Sequence, residues 1–318
     1  MSKVNKLPLI SIIVIIFFIV SWFAIGHWQK PPSLSHMKEK VVNKHYTHYL
    51  FNFTTHSTFC YASVNGVPII DSMMEGGSVS GGYDITPLLE KGGNNIEIQY
   101  SGIDTKNLLK LNQGDYCSLK VFKIVNNKSI SVASIKGGEV NGRASAKQSL
   151  NYNGGDNLGK IDEGITQDPN LYGVKRTFVI SHIPAWEWSK ATKLQDTKAS
   201  QTLVMKAYRN IYQVLKDRDI NELKKYYQIS LAENALNDGS TILEEWYSLG
   251  IKDRIGQGFK PEDNFGDHYE LKYYGNGKMF RLVNKYGNSP IVLRGPGGHR
   301  FSYTPYFSYI DGKVVIVR

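Results

Sequence analysis

Residues Leu7 to Gly26 run for twenty positions without a charged side chain. As a helix rising 1.5 Å per residue they span about 30 Å, the thickness of a bilayer's hydrocarbon core. Trp22 and Trp28 stand near the far end of the run, where amphipathic rings favour the headgroup layer. Two readings fit this segment: a retained transmembrane anchor, or a signal peptide cut after the small-x-small tripeptide Ala24-Ile25-Gly26. Apolar cores of signal peptides usually hold about 7–15 residues, so the length favours the anchor. Lysines flank both sides, with Lys3 and Lys6 before the run and Lys30, Lys38, Lys40 and Lys44 after it. Counting them does not fix the orientation. A short basic tail ahead of an apolar core is the layout of an export signal, which predicts a cytoplasmic N-terminus and an extracytoplasmic body. The expected location is a bacterial inner membrane, crossed once, with the body in the periplasm.

The expected organisation is a tail (1–6), the anchor (7–26), a basic spacer (27–44), an all-β region (45–190) and an α+β region (191–318). Thirty-eight Lys and Arg against twenty-eight Asp and Glu leave a formal net charge of +10. The lysines are dispersed and no base-reading motif accompanies them, so nucleic acid is not expected as a partner. The basic spacer would instead be drawn to an anionic membrane surface.

From His45 onward the texture is that of strands. Aromatic and β-branched residues fill Tyr46–Thr54, and Cys60–Val64 and Val67–Ile70 flank Asn65-Gly66. Asn-Gly between two apolar runs marks a hairpin, because both residues tolerate positive φ. Further strands are expected at Tyr83–Leu89, Asn95–Gly102, Tyr116–Val125, Ser129–Ile135 and Gly173–Ile183, which predicts an antiparallel sandwich. The two cysteines, Cys60 and Cys117, both fall in this region. In an oxidising compartment they can form one disulfide; two buried free thiols are the alternative. No metal site is expected, since neither Cys-x-x-Cys nor His-x-x-x-His spacing occurs.

Three segments of this region, Val64-Asn65-Gly66-Val67, Tyr83 to Leu89 and Gly93 to Ile98, resemble galactose-binding-like jelly rolls. The resemblance covers about forty residues and rests on structural positions. It implies that Asp84 and Thr86 satisfy backbone donors at a turn and that Asn94 occupies a left-handed turn. A carbohydrate ligand is one possibility the resemblance carries, and Trp186 and Trp188 would be the rings to stack on a sugar. Burial of both tryptophans between the two regions is the competing reading.

From Gln195 the pattern is helical. Leu203, Ala207, Tyr208, Ile211, Val214 and Leu215 recur at spacings of three and four. Asp219 is placed to cap a second helix over Ile220–Leu236, and Thr241–Leu249 forms a third. Strands are then expected at Tyr269–Tyr274, Met279–Asn284, Pro290–Leu293, Phe301–Tyr309 and Lys313–Val317. Helices followed by a meandering sheet predict an α+β fold. The segments Tyr208–Ile220 and Pro305–Ile316 resemble the opening helix and last hairpin of SnoaL-like, nuclear-transport-factor-like domains. That resemblance implies a curved sheet wrapped on helices as a cone.

No cofactor is expected, and no catalytic motif is complete. Asp267 and His268 form the nearest thing to an acid–base pair, followed by Tyr273 and Tyr274. Adjacent residues on a strand face opposite sides, however, so a solvated loop is the better account. Gly295-Pro296-Gly297-Gly298 lies between Arg294 and His299-Arg300. It reads as an exposed hairpin tip, since neither a phosphate-loop signature nor a following helix is present. Arg294, His299 and Arg300, with Trp186 and Trp188, are the candidate partner contacts.

Together these readings describe a non-enzymatic, membrane-anchored protein binder. The layout is similar to immunity proteins encoded beside type VI secretion effectors, which implies neutralisation of a secreted antibacterial toxin such as a lipase. A component of envelope assembly or secretion, and a surface carbohydrate binder, are the alternative expectations.

Overall fold

The computed structural model describes residues 47–74, 77–125, 128–147, 159 and 161–318. The expected anchor and spacer lie outside these residues. Among the described residues no helix is long and apolar enough to cross a membrane.

Among the described residues of the first region there are ten strands: β1 (Tyr49–His56), β2 (Thr58–Val64), β3 (Val67–Asp71), β4 (Ser80–Gly81), β5 (Gly92–Gly102), β6 (Tyr116–Val125), β7 (Lys128–Val140), β8 (Arg143–Lys147), β9 (Ile161–Ile165) and β10 (Tyr172–Ile180). They form two five-stranded sheets, ordered β4-β1-β6-β7-β8 and β3-β2-β5-β10-β9, with every pairing antiparallel. The two-residue period of a strand sends alternate side chains to one face. Tyr49, Phe51 and Phe53 of β1, Leu119 and Val121 of β6, Cys60, Ala62 and Val64 of β2, and Ile96, Ile98 and Tyr100 of β5 therefore meet in one core between the sheets. A disulfide joins Cys60 to Cys117, with Cα atoms 6.2 Å apart, and ties a strand of one sheet to a strand of the other.

The Asn65-Gly66 turn has φ of 49° and 77°, as a tight hairpin requires. Asn65 does more than turn the chain. Its buried amide donates to the Leu88 carbonyl and to Asn94 Oδ1, both at 2.8 Å, and its Oδ1 accepts from the Asn95 N–H.

The strand expected over Tyr83–Leu89 is instead one bridge, Leu50 to Asp84, followed by a 3-10 turn, Thr86–Leu88. Pro87 has no N–H to give a ladder, and Asp84 Oδ1 accepts the Thr86 N–H at 2.7 Å, closing the chain into a turn. Thr86 Oγ1 in turn accepts the Tyr49 N–H. Asn94 does not take the left-handed conformation expected of it: it lies in β5, and the positive φ, 104°, falls on Gly92 at the start of that strand.

Five helices follow: α1 (Lys198–Lys216), α2 (Ile220–Tyr226), α3 (Gln228–Asp238), α4 (Ile242–Ser248) and α5 (Ile251–Gly256). Thr197 caps α1 and Asp219 caps α2 through their side-chain oxygens. A full capping box between Thr241 and Glu244 starts α4. The helix expected over Ile220–Leu236 breaks at Tyr227, whose φ and ψ of −90° and 1° leave the helical region. The buried face of α1 carries Val204, Tyr208, Ile211 and Leu215, and Leu203 points outward.

The remaining strands form two antiparallel sheets. One is ordered β12 (Glu270–Tyr274), β13 (Met279–Val283), β16 (Phe307–Ile310), β17 (Lys313–Ile316). The other is β11 (Lys260–Pro261), β14 (Ile291–Arg294), β15 (Arg300–Tyr303). The single strand expected over Phe301–Tyr309 splits across both sheets, with Pro305, which lacks an N–H, between the halves. Tyr208 of α1 packs edge-on against Phe307, and Phe280, Leu282, Leu293 and Ile316 join them in a second core.

A third cluster locks the two regions together. Trp186 and Trp188 are 1% and 0% exposed and pack with Val67, Met279 and Val317. Trp186 Nε1 donates to the Thr86 carbonyl at 3.0 Å, and Trp188 Nε1 to that of Pro87 at 2.9 Å. The guanidinium of Arg318 lies over the Trp186 ring, donates to the Pro87 carbonyl and pairs with Glu233. Glu90 pairs with Lys278 and accepts from Asn276, and the Gly275 N–H donates to the Asn65 carbonyl at 2.8 Å. On the same side Arg281 lies over the rings of Tyr306 and Tyr274. Burial is the main cause that pushes nearby Tyr61 up to about 12, so its hydroxyl stays neutral.

Candidate partner-contact surface

The hairpin β14–β15 presents the most distinctive exposed group of the C-terminal region. Arg294 and Arg300 stand directly opposite in its register. Two guanidinium groups side by side would repel, and Glu262, just beyond β11, resolves this by pairing with both. Burial tends to raise the Glu262 carboxyl, but hydrogen bonds and charge from Arg300 and Arg294 outweigh it and hold the group below its usual range. The Glu262 side chain is 17% exposed, whereas the two arginines remain more than half exposed. One carboxylate therefore orders two cations and leaves a net positive charge facing solvent.

The tip is closed by the Gly295 N–H, which donates to the His299 carbonyl at 2.8 Å. Gly297 and Gly298 turn the chain with φ of 69° and 80°. A Cβ on Gly295 would lie 2.4 Å from the Phe259 ring, so the tip sits directly on that ring. This is the hairpin loop expected from the sequence, and His299 lies exposed on it.

Two residues that the sequence reading did not single out complete the surface. Arg254 of α5 places its guanidinium carbon 3.2 Å from the centroid of the Phe301 ring and donates to the Tyr303 hydroxyl at 3.3 Å. Phe301 is itself partly exposed, and Lys260 adds another exposed cation on β11. Arginine and large aromatic side chains are the types most enriched at the energetic centres of protein interfaces. No local signal could have joined Arg254 to Phe301, because forty-seven positions of helix, loop and sheet separate them.

The other predicted contacts lie elsewhere. Trp186 and Trp188 are buried in the junction and give their indole N–H groups to backbone carbonyls, so they offer no face to a sugar or a protein. This is the packing alternative, with the physical reason that two large rings fill the seam between cores. Asp267 and His268 are exposed in the loop before β12, and the His268 ring lies against Tyr269, 4.3 Å between centroids. Neither enters the C-terminal core, so they form no buried acid–base pair. Among the described residues no group of three or more His, Cys, Asp or Glu is gathered as a metal-ligand set.

Comparisons with protein-family models, with curated proteins and with solved structures return no match.

Proposed function

We propose that this chain is a membrane-anchored, extracytoplasmic protein-binding protein that neutralises a secreted antibacterial toxin by occluding it. The observation that carries the reading is the partly exposed Arg254–Phe301 stack, flanked by the exposed Arg294 and Arg300 on Glu262. A guanidinium already held on a ring loses little side-chain freedom when a partner closes over it, so the surface is preorganised for binding. The interlocked junction supports the same view, since it fixes both regions as one platform.

The apolar run at Leu7–Gly26 supplies the tether in this reading. Confinement to one membrane face raises the effective concentration against a toxin arriving there. The finer fold we propose is a galactose-binding-like jelly roll serving as scaffold, followed by a SnoaL-like cone serving as docking module. A lipase-type effector is the toxin class that fits a protector placed at the membrane surface.

Co-expression with secreted toxins encoded by neighbouring genes tests the proposal. Survival of the cells, together with a stable complex that the Arg254→Ala/Phe301→Ala variant loses, is the expected result. Recovery of envelope or secretion-machine subunits instead would assign the chain to assembly. No protection and no complex would overturn the toxin reading.

A further inference from the structure

The flank of α1 holds a second cationic surface, built on a helical repeat. Lys198, Gln201, Thr202, Met205, Lys206 and Arg209 follow one another at steps of three, one, three, one and three, which puts them on one stripe beside the buried face. They line a cleft of about 540 Å³, and Gly266 and Asp267 form its opposite wall. That wall is fixed to the helix: Gln201 Nε2 donates to the Tyr269 carbonyl at 2.7 Å, and Phe265 packs edge-on against Tyr212. Arg209 lies 5.1 Å above the Phe265 ring.

Charge decides what the cleft suits. Lys198, Lys206 and Arg209 form no ion pair with a described carboxylate, and Asp267 is the one acid in the lining. Three cations thus face solvent along a stripe of roughly 17 Å, the length of about five residues of extended chain. The segment between β11 and β12 that walls the cleft also carries Glu262 at its start.

We propose that the α1 cleft takes an extended, acidic segment of a protein partner, alternating carboxylates between Lys198, Lys206 and Arg209 with an apolar side chain on Met205. The proposal rests on the protein-binding reading above and names the chemistry of the partner's segment. A nucleic acid strand fits less well, since its evenly charged backbone would have to pass Asp267, and the lining offers Met205 and Thr202 where a phosphate track would need cations.

The test uses the full chain in detergent micelles and a fluorescent ten-residue peptide alternating glutamate and leucine, with binding read by anisotropy. The peptide is expected to bind more tightly as salt is lowered, and Lys198→Glu/Lys206→Glu/Arg209→Glu to weaken it by about tenfold or more. The milder Lys206→Gln/Arg209→Gln variant, checked for an unchanged melting curve, keeps the test valid if charge reversal disturbs the helix. Unaltered peptide binding in both variants would overturn the proposal, as would equal affinity for a single-stranded oligonucleotide or for phosphatidylglycerol vesicles. A toxin complex that depends on Arg254 and Phe301 but ignores the α1 variants sinks this inference alone. Absence of any toxin complex, with peptide binding intact, sinks the toxin reading instead.

Discussion

The indole N–H of Trp188 donates to the carbonyl oxygen of Pro87 across a separation of 101 residues, at 2.9 Å. Both residues belong to the first region, and the bond holds the Trp188 ring in the seam from the 3-10 turn that replaces an expected strand. Pro87 also accepts from Arg318 Nε at 3.0 Å, so removing the indole donor would not orphan the carbonyl. Trp188→Phe is therefore expected to cost about 1 kcal/mol for the lost hydrogen bond, with a further penalty for the smaller ring. Trp188→Ala, which opens a cavity in the seam, is expected to cost about 3–5 kcal/mol. Urea denaturation of both variants checks the ordering.

Gly275 sits against the same ring. Its φ is +54°, and an added Cβ would lie 2.9 Å from both Trp188 Cζ3 and Met279 Cε. Gly275→Ala combines backbone strain with overpacking and is expected to destabilise the protein by about 1–3 kcal/mol. Thermal unfolding should show a lowered midpoint, whereas Gly287→Ala, at a turn with open space, should show only the smaller cost of its positive φ.

Removing the Cys60–Cys117 bridge as a Ser/Ser double variant is expected to lose about 4 kcal/mol, from loop entropy for a separation of 57 residues. The same loss should follow reduction of the native protein. Denaturant titrations with and without reductant should therefore differ for the native chain and coincide for the variant.

Glu262 gives the hairpin a defined acid sensitivity. Its folded pKa lies below the ordinary 4.5, so its stabilising contribution is complete above that value and is lost as pH falls through the folded pKa. Glu262→Gln is expected to cost about 1 kcal/mol at neutral pH, a modest figure because Arg294 and Arg300 are more than half exposed. The stability gap between native and variant should stay constant from pH 6 to 8 and close in acid, a pH range set by the ordinary carboxylate values. A gap that persists unchanged well below that range would show that the pairing contributes nothing.

The sequence by itself determined the local features. Alternating burial in β1 and β5, the Asn65-Gly66 turn, the Asp219 cap and the hairpin around Gly297 and Gly298 all follow from side chains acting within a few residues of themselves. Where a local rule met a distant partner, the tertiary structure decided. Asn94 was legible as a special position, and its side chain bonds locally to Glu90 and Gly92, but the bond it accepts from Asn65, twenty-nine residues away, belongs to the tertiary structure. Residues Arg143–Lys147 offer only the small side chains of Ala144 and Ala146 as an apolar alternation, and they become β8 by pairing with β7. The α1 pattern gave its helix but placed Leu203 on the core side; packing against the sheets chose Val204. The candidate surface divides the same way. Arg294, His299 and Arg300 are visible as a basic hairpin, while Glu262, Arg254 and Phe301 acquire their roles only when a helix, a short strand and the hairpin converge. The physical reason is one of range: propensity, turn chemistry and capping act over a few bonds, whereas burial and charge pairing act through space.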